Sequence, residues 1–323
     1  MAAHSELPIV QIVELSDITT ADLDPLLAEE IDVWRERFAW DFRPSADLLR
    51  RFVQMRSLYG CALRLNGEVA GYAYFVCEGH KGLIGDFFVR RRYATPSLEI
   101  QLLRAVVESL MRMAGIRRIE SQLMMLRAFA GEGLPPFGRK VARYDRYFME
   151  IDRGTIRRLP ESSPRSQVRF VVWAERYMEE MAHLLAASYR GHIDSELNDQ
   201  YRSVSGARQF LTNIIRFPGC GRFSPEASIL ALDANTGRLS GMCLASRVSE
   251  DAGHVTQVCV LPALRGSRIG YELIRQTTNK LVETETNIVS LTVTCANVDA
   301  VRLYRSLGFR VQGTFSALVW DRF

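Results

Sequence analysis

The chain has no long Lys/Arg run interleaved with aromatics; its 41 basic residues against 37 acidic ones leave a net charge of only +4 over 323 residues. So mild a balance disfavours a nucleic-acid partner. No apolar stretch is long enough to span a bilayer, and the opening Met-Ala-Ala-His-Ser-Glu-Leu-Pro lacks a basic region followed by an apolar run. A cytoplasmic protein with no membrane partner is expected. The six cysteines, at 61, 77, 220, 243, 259 and 295, include no Cys-x-x-Cys pair and fall mostly within apolar, strand-like runs. They read as reduced core residues, without the spacing of a zinc site or a disulfide framework. What is present is 47% hydrophobic residues, ample for packed cores, in a chain longer than one typical domain.

Two domains are the simplest division. Arg153 to Ser166 is polar, holds Pro160 and Pro164 and lacks hydrophobic period, so it reads as a linker between residues 1–152 and 167–323. After it the pattern predicts a strand over 167–173, helices over 174–189 and 206–217, a strand over 227–233, and an Asn235-Thr236-Gly237 turn into a strand over 239–248. The first half repeats this order: a strand near 9–15, helices between 20 and 56, strands over 61–65 and 68–76 joined by Asn66-Gly67, a strand over 83–89 and a helix over 96–115. The Arg90-Arg91-Arg92 triplet is expected in a solvated turn. Trp34, Trp40, Asp41 and Phe42 are balanced between an acceptor site and the core, with packing favoured for the aromatics.

The most informative stretch runs from His254 to Val311. Val255 to Leu261 (VTQVCVL) is β-branched and apolar and suits a buried strand, which Pro262 should end. In Arg265-Gly266-Ser267-Arg268-Ile269-Gly270 a glycine permits a tight turn, and from Ile269 the apolar residues recur at helical spacing. A helix beginning inside that turn presents unpaired N–H groups and a positive dipole end, a seat for a diphosphate. After a second strand, 288–294, Asn297 suits an N-cap, Asp299 a first turn and Gly308 the position past a helix end. Asn297, Ala300 and Tyr304 share one face of that helix.

These two parts resemble the GNAT superfamily of acyl-CoA-dependent N-acyltransferases, whose pattern is a strand, an Arg/Gln-x-x-Gly-x-Gly/Ala turn and a later Asn…Ala…Tyr…Leu-Gly-Phe helix. Arg265 and Gly270 fall on the first and last turn positions, and Arg268 replaces the central Gly, where it is expected to be tolerated. The resemblance implies an α/β (α+β) fold of two tandem GNAT domains in a mycothiol-synthase-like arrangement, each a mixed, mainly antiparallel sheet flanked by helices. It implies that backbone groups of the strand at Val258, Cys259 and Val260 meet the pantetheine arm of acetyl-CoA. It also implies that Arg265, Gly266, Ser267, Arg268, Ile269 and Gly270 hold the diphosphate, that Asn297 contacts the cofactor and that Tyr304 protonates the leaving thiolate. No metal is required. In the first half, Ala94-Thr95-Pro96-Ser97-Leu98-Glu99 stands where the turn should be, with no glycine and with an N–H donor lost to Pro96, so that half reads as a degenerate copy without cofactor.

The acceptor side rests on fewer residues. An attacking amine must be neutral, so a proton acceptor is needed. His254, which period-two alternation puts on the Val258 face, lies in the region where the resemblance to mycothiol synthase, a tandem GNAT enzyme, implies an acidic acceptor-contacting residue, and an unperturbed histidine pKa of about 6.5 suits a base. A polar cluster holding His192, Asp194, Asn198 and Tyr201 can orient a substrate amine or serve as a capped, solvated loop. The expectation is acetyl transfer to a primary amine by a monomer or homodimer. A non-catalytic acyl-CoA sensor and a tandem-GNAT aminoacyl transferase are the competing readings.

Overall fold

Chain order alternates strands and helices as the hydrophobic periods require, and the computed structural model describes residues 9–127, 141–217 and 219–321. The elements are β1 (Val10–Glu14), α1 (Thr20–Phe38), α2 (Arg43–Gln54), β2 (Tyr59–Leu65), β3 (Glu68–Glu78), β4 (Lys81–Val89), α3 (Pro96–Arg112) and β5 (Arg118–Leu123). Then come β6 (Val141–Asp152), α4 (Arg153–Ile156), β7 (Val168–Val172), α5 (Met178–Ser188), α6 (Asp194–Leu197), α7 (Val204–Arg216) and β8 (Arg222–Phe223). The chain closes with β9 (Ile229–Asp233), β10 (Leu239–Arg247), β11 (Ala252–Val260), α8 (Ile269–Glu283), β12 (Ile288–Thr294), α9 (Val298–Ser306) and β13 (Arg310–Asp321).

Two units form. Among the described residues the first comprises 9–37, 42–127, 141–144 and 315–321, and the second 38–41, 145–217 and 219–314. In the first the strand order is β1-β2-β3-β4-β5-β13, antiparallel except for the parallel β4–β5 pair. In the second it is β7-β9-β10-β11-β12-β6, again with one parallel pair, β11–β12. The internal repeat read from the sequence is therefore a repeat of topology. Each unit takes its last strand from the other half of the sequence: Arg146–Asp152 pair with β12, and Ser316–Asp321 pair with β5. Both strands complete a sheet whose edge would otherwise be open. The expected linker 153–166 thus lies inside the second unit, with Ile156 fully buried in its core, and the chain beyond Thr314 belongs to the first.

Burial follows the alternation of the strands. In the first unit α3 lays Leu102, Leu103, Val106, Val107 and Leu110 on one core with Leu63, Phe87 and Trp320. In the second the sheet carries a core on each face: α8 and α9 cover Ala231, Cys243, Val255 and Leu291, while α5 and α7 cover Leu230, Met242, Leu244 and Cys259. The Asn66-Gly67 turn has φ of 49° and 88°, the two positive values that a type I′ hairpin turn requires. The arginine triplet is exposed to half-buried, and each member meets a carboxylate: Arg90 with Glu29, Arg91 with Glu36 and Arg92 with Glu68. Among the described residues no helix is long and apolar enough to cross a membrane.

One buried polar cluster sets a pH dependence on the first unit. Glu30, with no exposed surface, accepts from Tyr72 Oη at 2.9 Å and Trp34 Nε1 at 3.3 Å, and the same Tyr72 hydroxyl lies 3.2 Å from Asp86 Oδ2. One phenol proton cannot serve two carboxylates, so one acid must carry its own proton. Burial raises Glu30 well above the carboxylate range, and Asp86, also raised first by burial, reaches about 6. A carboxyl raised on folding contributes stability fully present below its unfolded value near 4, and loses it as pH climbs through the folded value. Glu30→Gln, which keeps the shape without a titratable proton, should therefore stabilise the protein at pH 8 by about 1 kcal/mol, a Tm gain of roughly 2–4 °C. Thermal melts at pH 5 and 8 should show a smaller pH difference for the variant than for the parent.

Candidate active site

β11 and β12 run side by side only from the Ala252–Ile288 pair to the Val255–Leu291 pair, and then diverge. Beyond Val255, β11 keeps its other neighbour, pairing with β10 as far as Val260. Leu261 N–H donates to Ser240 O, so by alternation the backbones of Cys259 and Gln257 face β10 and those of Val258 and Val260 face the gap. Two carbonyls there accept side-chain bonds, Val258 O from Tyr189 Oη at 3.4 Å and Val260 O from Ser188 Oγ at 3.3 Å.

Pro262 ends the strand, and the chain turns through Arg265 to Gly270 into α8. The first bond of that helix is Glu272 N–H to Arg268 O, which leaves the N–H groups of Ile269, Gly270 and Tyr271 outside the intrahelical ladder. Gly266, at φ +76°, has nothing within 4 Å of where a side chain would begin. A Cβ on Gly270 would touch Leu303 Cδ2 at 3.4 Å, so α8 starts close against α9. The Arg265 side chain turns away from the N–H groups, its Nη2 donating to Ser188 O at 2.6 Å. Ser267 closes the turn internally through its hydroxyl to Leu264 O, and Ile269 is buried in the core.

A cleft of 1090 Å³ joins these parts, lined by Val258, Cys259, Val260, Arg265, Gly266, Arg268, Gly270, Asn297, Ala300 and Tyr304. Asn297 caps α9 by accepting from Ala300 N–H at 3.4 Å. Burial raises the Tyr304 phenol above its ordinary value, so it holds its proton at neutral pH. Burial also pushes the Cys259 thiol up to about 12, which keeps it protonated and poorly nucleophilic. His192, Asp194 and Tyr201 line the same cleft, whereas Asn198 does not; its Oδ1 accepts from Gln200 N–H at 3.0 Å as a local cap.

His254 is placed differently from the expectation. The β10–β11 register shifts between Leu244 and Ala245, and this bulge reverses the alternation. Gly253 and Val255 consequently face α8 together with Val258 and Val260, and His254 faces the opposite side with Gln257 and Cys259. It is 6% exposed, tilted on Trp40 and stacked on Phe148, with Nδ1 2.9 Å from Ser290 Oγ. It is not among the cleft-lining residues. Burial, with Arg146 nearby, lowers it to about 4, so it stays neutral.

Several lining residues were not legible in the sequence. Leu159, Pro160, Glu161 and Ser162, from the segment expected as a linker, form a wall, held by Tyr271 Oη to Pro160 O at 3.0 Å and Ser162 N–H to Glu272 Oε2 at 3.3 Å. Tyr189 and Gln257 are joined by a 2.7 Å bond and face the acceptor cluster, where Tyr201 Oη donates to Gln257 Oε1 at 3.2 Å. Arg146 and Thr292 come from the pairing of β6 with β12. The alternation of Arg146, Phe148 and Glu150 with Tyr147, Met149 and Ile151 was the available signal for β6.

Residues 178–309 match the family model described as the acetyltransferase (GNAT) family. The second unit carries a GNAT acetyltransferase domain. A GCN5-related N-acetyltransferase from Sphaerobacter thermophilus is 17% identical, with 97% of this chain and 95% of that one covered at a TM-score of 0.66. A tandem GNAT protein from the clavulanic acid biosynthesis pathway is 15% identical, with 98% and 99% covered at a TM-score of 0.62. These likenesses show the fold: the chain has the tandem GNAT architecture over almost its whole length. No curated protein matches the chain in sequence.

Within the GNAT domain, Arg268 is the departure from pattern with a structural consequence. It adopts φ 69°, ψ 3°, the left-handed conformation that a glycine occupies without steric cost. Arg268→Gly should therefore raise stability by about 0.5–1 kcal/mol, the relief of strain exceeding the added entropy of the unfolded chain. Chemical denaturation of the two proteins measures the difference.

Proposed function

We propose that the GNAT domain transfers an acetyl group from acetyl-CoA to a primary amine by direct attack. The observation carrying this reading is the continuity of one cleft from the N–H groups at the start of α8, along the gap beside Val258 and Val260, to the Tyr304 phenol. Groups suited to a diphosphate, to an extended amide-bearing arm and to a leaving thiolate lie along it in that order. The backbone N–H groups of Ile269, Gly270 and Tyr271 supply fixed positive dipole ends at low reorganisation cost.

In the proposed step a neutral amine nitrogen attacks the thioester carbon, the C–S bond breaks, and the departing sulfur takes the proton of Tyr304. Burial keeps the phenol protonated at neutral pH, so Tyr304 has a proton to give as the thiolate leaves. The proton lost from nitrogen leaves on the acceptor side of the gap, where Asp194 is the lining carboxylate. His254 has no part in this scheme, because it does not line the cleft. The Cys259 thiol, held near 12, argues for direct attack in preference to an acyl-cysteine.

His192 has a positioning role in this reading. Its Nδ1 accepts the Asp194 N–H at 3.1 Å, so the neutral ring carries its proton on Nε2 and can donate to an acceptor. Tyr304→Phe should lower kcat roughly 10²–10⁴-fold. Thiol release from acetyl-CoA over an amine library, with acetyl-CoA affinity measured in parallel, checks it: full turnover by the variant would remove the acid role. Binding of acetyl-CoA with no thiol release on any amine would favour the sensor reading.

A further inference from the structure

Arg146 is a buried cation of the cleft whose donors are only partly used. It stands on β6 opposite Thr294, is 9% exposed, and lines the cleft together with Asp194, Thr256, Gln257 and Thr292. Its Nη1 donates to Thr294 Oγ1 at 3.2 Å and its Nη2 to Thr292 Oγ1 at 3.1 Å, both neutral hydroxyls. Its Nε is buried without a hydrogen-bond partner. The adjacent carboxylate, Asp194, is 3.8 Å away, beyond hydrogen-bond distance, and already accepts from Thr294 Oγ1. The Asp194 ion pair offsets part of the cost of taking this guanidinium out of water, but its hydrogen bonds go to hydroxyls alone and its Nε stays unpartnered, so part of its donor capacity is unused.

Its position separates it from the diphosphate end. Tyr147, Met149 and Ile151 of β6 pack in the core beneath α8, the helix that opens at the 265–270 turn, so by alternation Arg146 points to the opposite face, with Phe148 and His254. The Tyr304 phenol, raised first by burial, also feels both charges, Asp194 raising it and Arg146 lowering it. The cation therefore lies near the proposed proton donor, on the side where an acceptor would approach.

Building on the acetyl-transfer reading, we infer that the acceptor is an amine that also bears a carboxylate, which Arg146 binds while the amine nitrogen is presented beside Asp194 to the gap. A planar guanidinium matches a carboxylate in charge and geometry, and such charge-assisted bonds are stronger than those to hydroxyls. His192 Nε2–H and the Tyr189–Gln257–Tyr201 network complete a polar wall on that side.

The test uses matched pairs: glycine, β-alanine, γ-aminobutyrate and L-lysine, each against its carboxamide, with rates referred to the neutral-amine fraction of each compound because the amide also lowers the amine pKa. At least one acid should exceed its amide by roughly 10–100-fold in kcat/KM for thiol release from acetyl-CoA, and in affinity measured calorimetrically. Arg146→Gln should bring that ratio close to one by raising KM for the acid, and Arg146→Lys should keep part of it through charge alone. Every amide matching its acid in the parent protein overturns the inference, as does a ratio unchanged in Arg146→Gln, which would make Arg146 a clamp between β6 and β12. If no acid binds while acetyl-CoA does, the inference fails and the acetyl-transfer reading stands. If acetyl-CoA does not bind, that reading fails, and the acid-to-amide binding ratio in the parent and Arg146→Gln proteins still decides this one.

Discussion

The second unit is organised around the parting of two parallel strands. Val255 and Leu291 are the last pair between β11 and β12, and the cleft runs along the gap that opens after them. A backbone freed from its ladder must find other partners. Here two carbonyls take them from the end of α5 and the residue after it, through Ser188 and Tyr189, while Val258 and Val260 keep their outer edge turned to the cleft. The bulge opposite Leu244 and Ala245 lies at the same level. It re-aims the strand so that Val258 and Val260 share the α8 face with Val255, and it sends His254 into the packing beneath Trp40 and Phe148.

That bulge also marks the limit of what the sequence disclosed. The strand, the turn, the Asn297 cap, the Gly308 stop and the shared face of Asn297, Ala300 and Tyr304 were all readable, because each depends on residues within one or two turns of each other. The side of the sheet occupied by His254 was not, since one extra residue inverts alternation and nothing in VTQVCVL announces it. Arg146 and the wall from Leu159 to Ser162 were hidden for a different reason. They reach the cleft through long-range pairing of β6 with β12 and through packing on α8, which no local period encodes. Arg268 is intermediate: its substitution for glycine was visible, and its positive φ was not.

The first unit shows the same topology put to another use. Where β4 leaves β5 after Ile84, the ring of Tyr74 lies against Gly85, where a Cβ would come within 2.3 Å of it. The following helix starts with a Thr95 cap and Pro96, satisfying one of its own N–H groups and deleting another. One polar cluster of this half is buried, joining Glu30, Tyr72 and Asp86. Fold and site are thus separable: two copies of one strand order, of which the second opens α8 with free N–H groups while the first caps and deletes donors at the start of α3.

Calorimetric titration of the unmodified protein with acetyl-CoA tests the central claim most directly. Binding at one molecule per chain is the predicted result, since the turn into α8 combines free N–H groups with an adjoining gap. No binding, or two equivalent sites per chain, would contradict it.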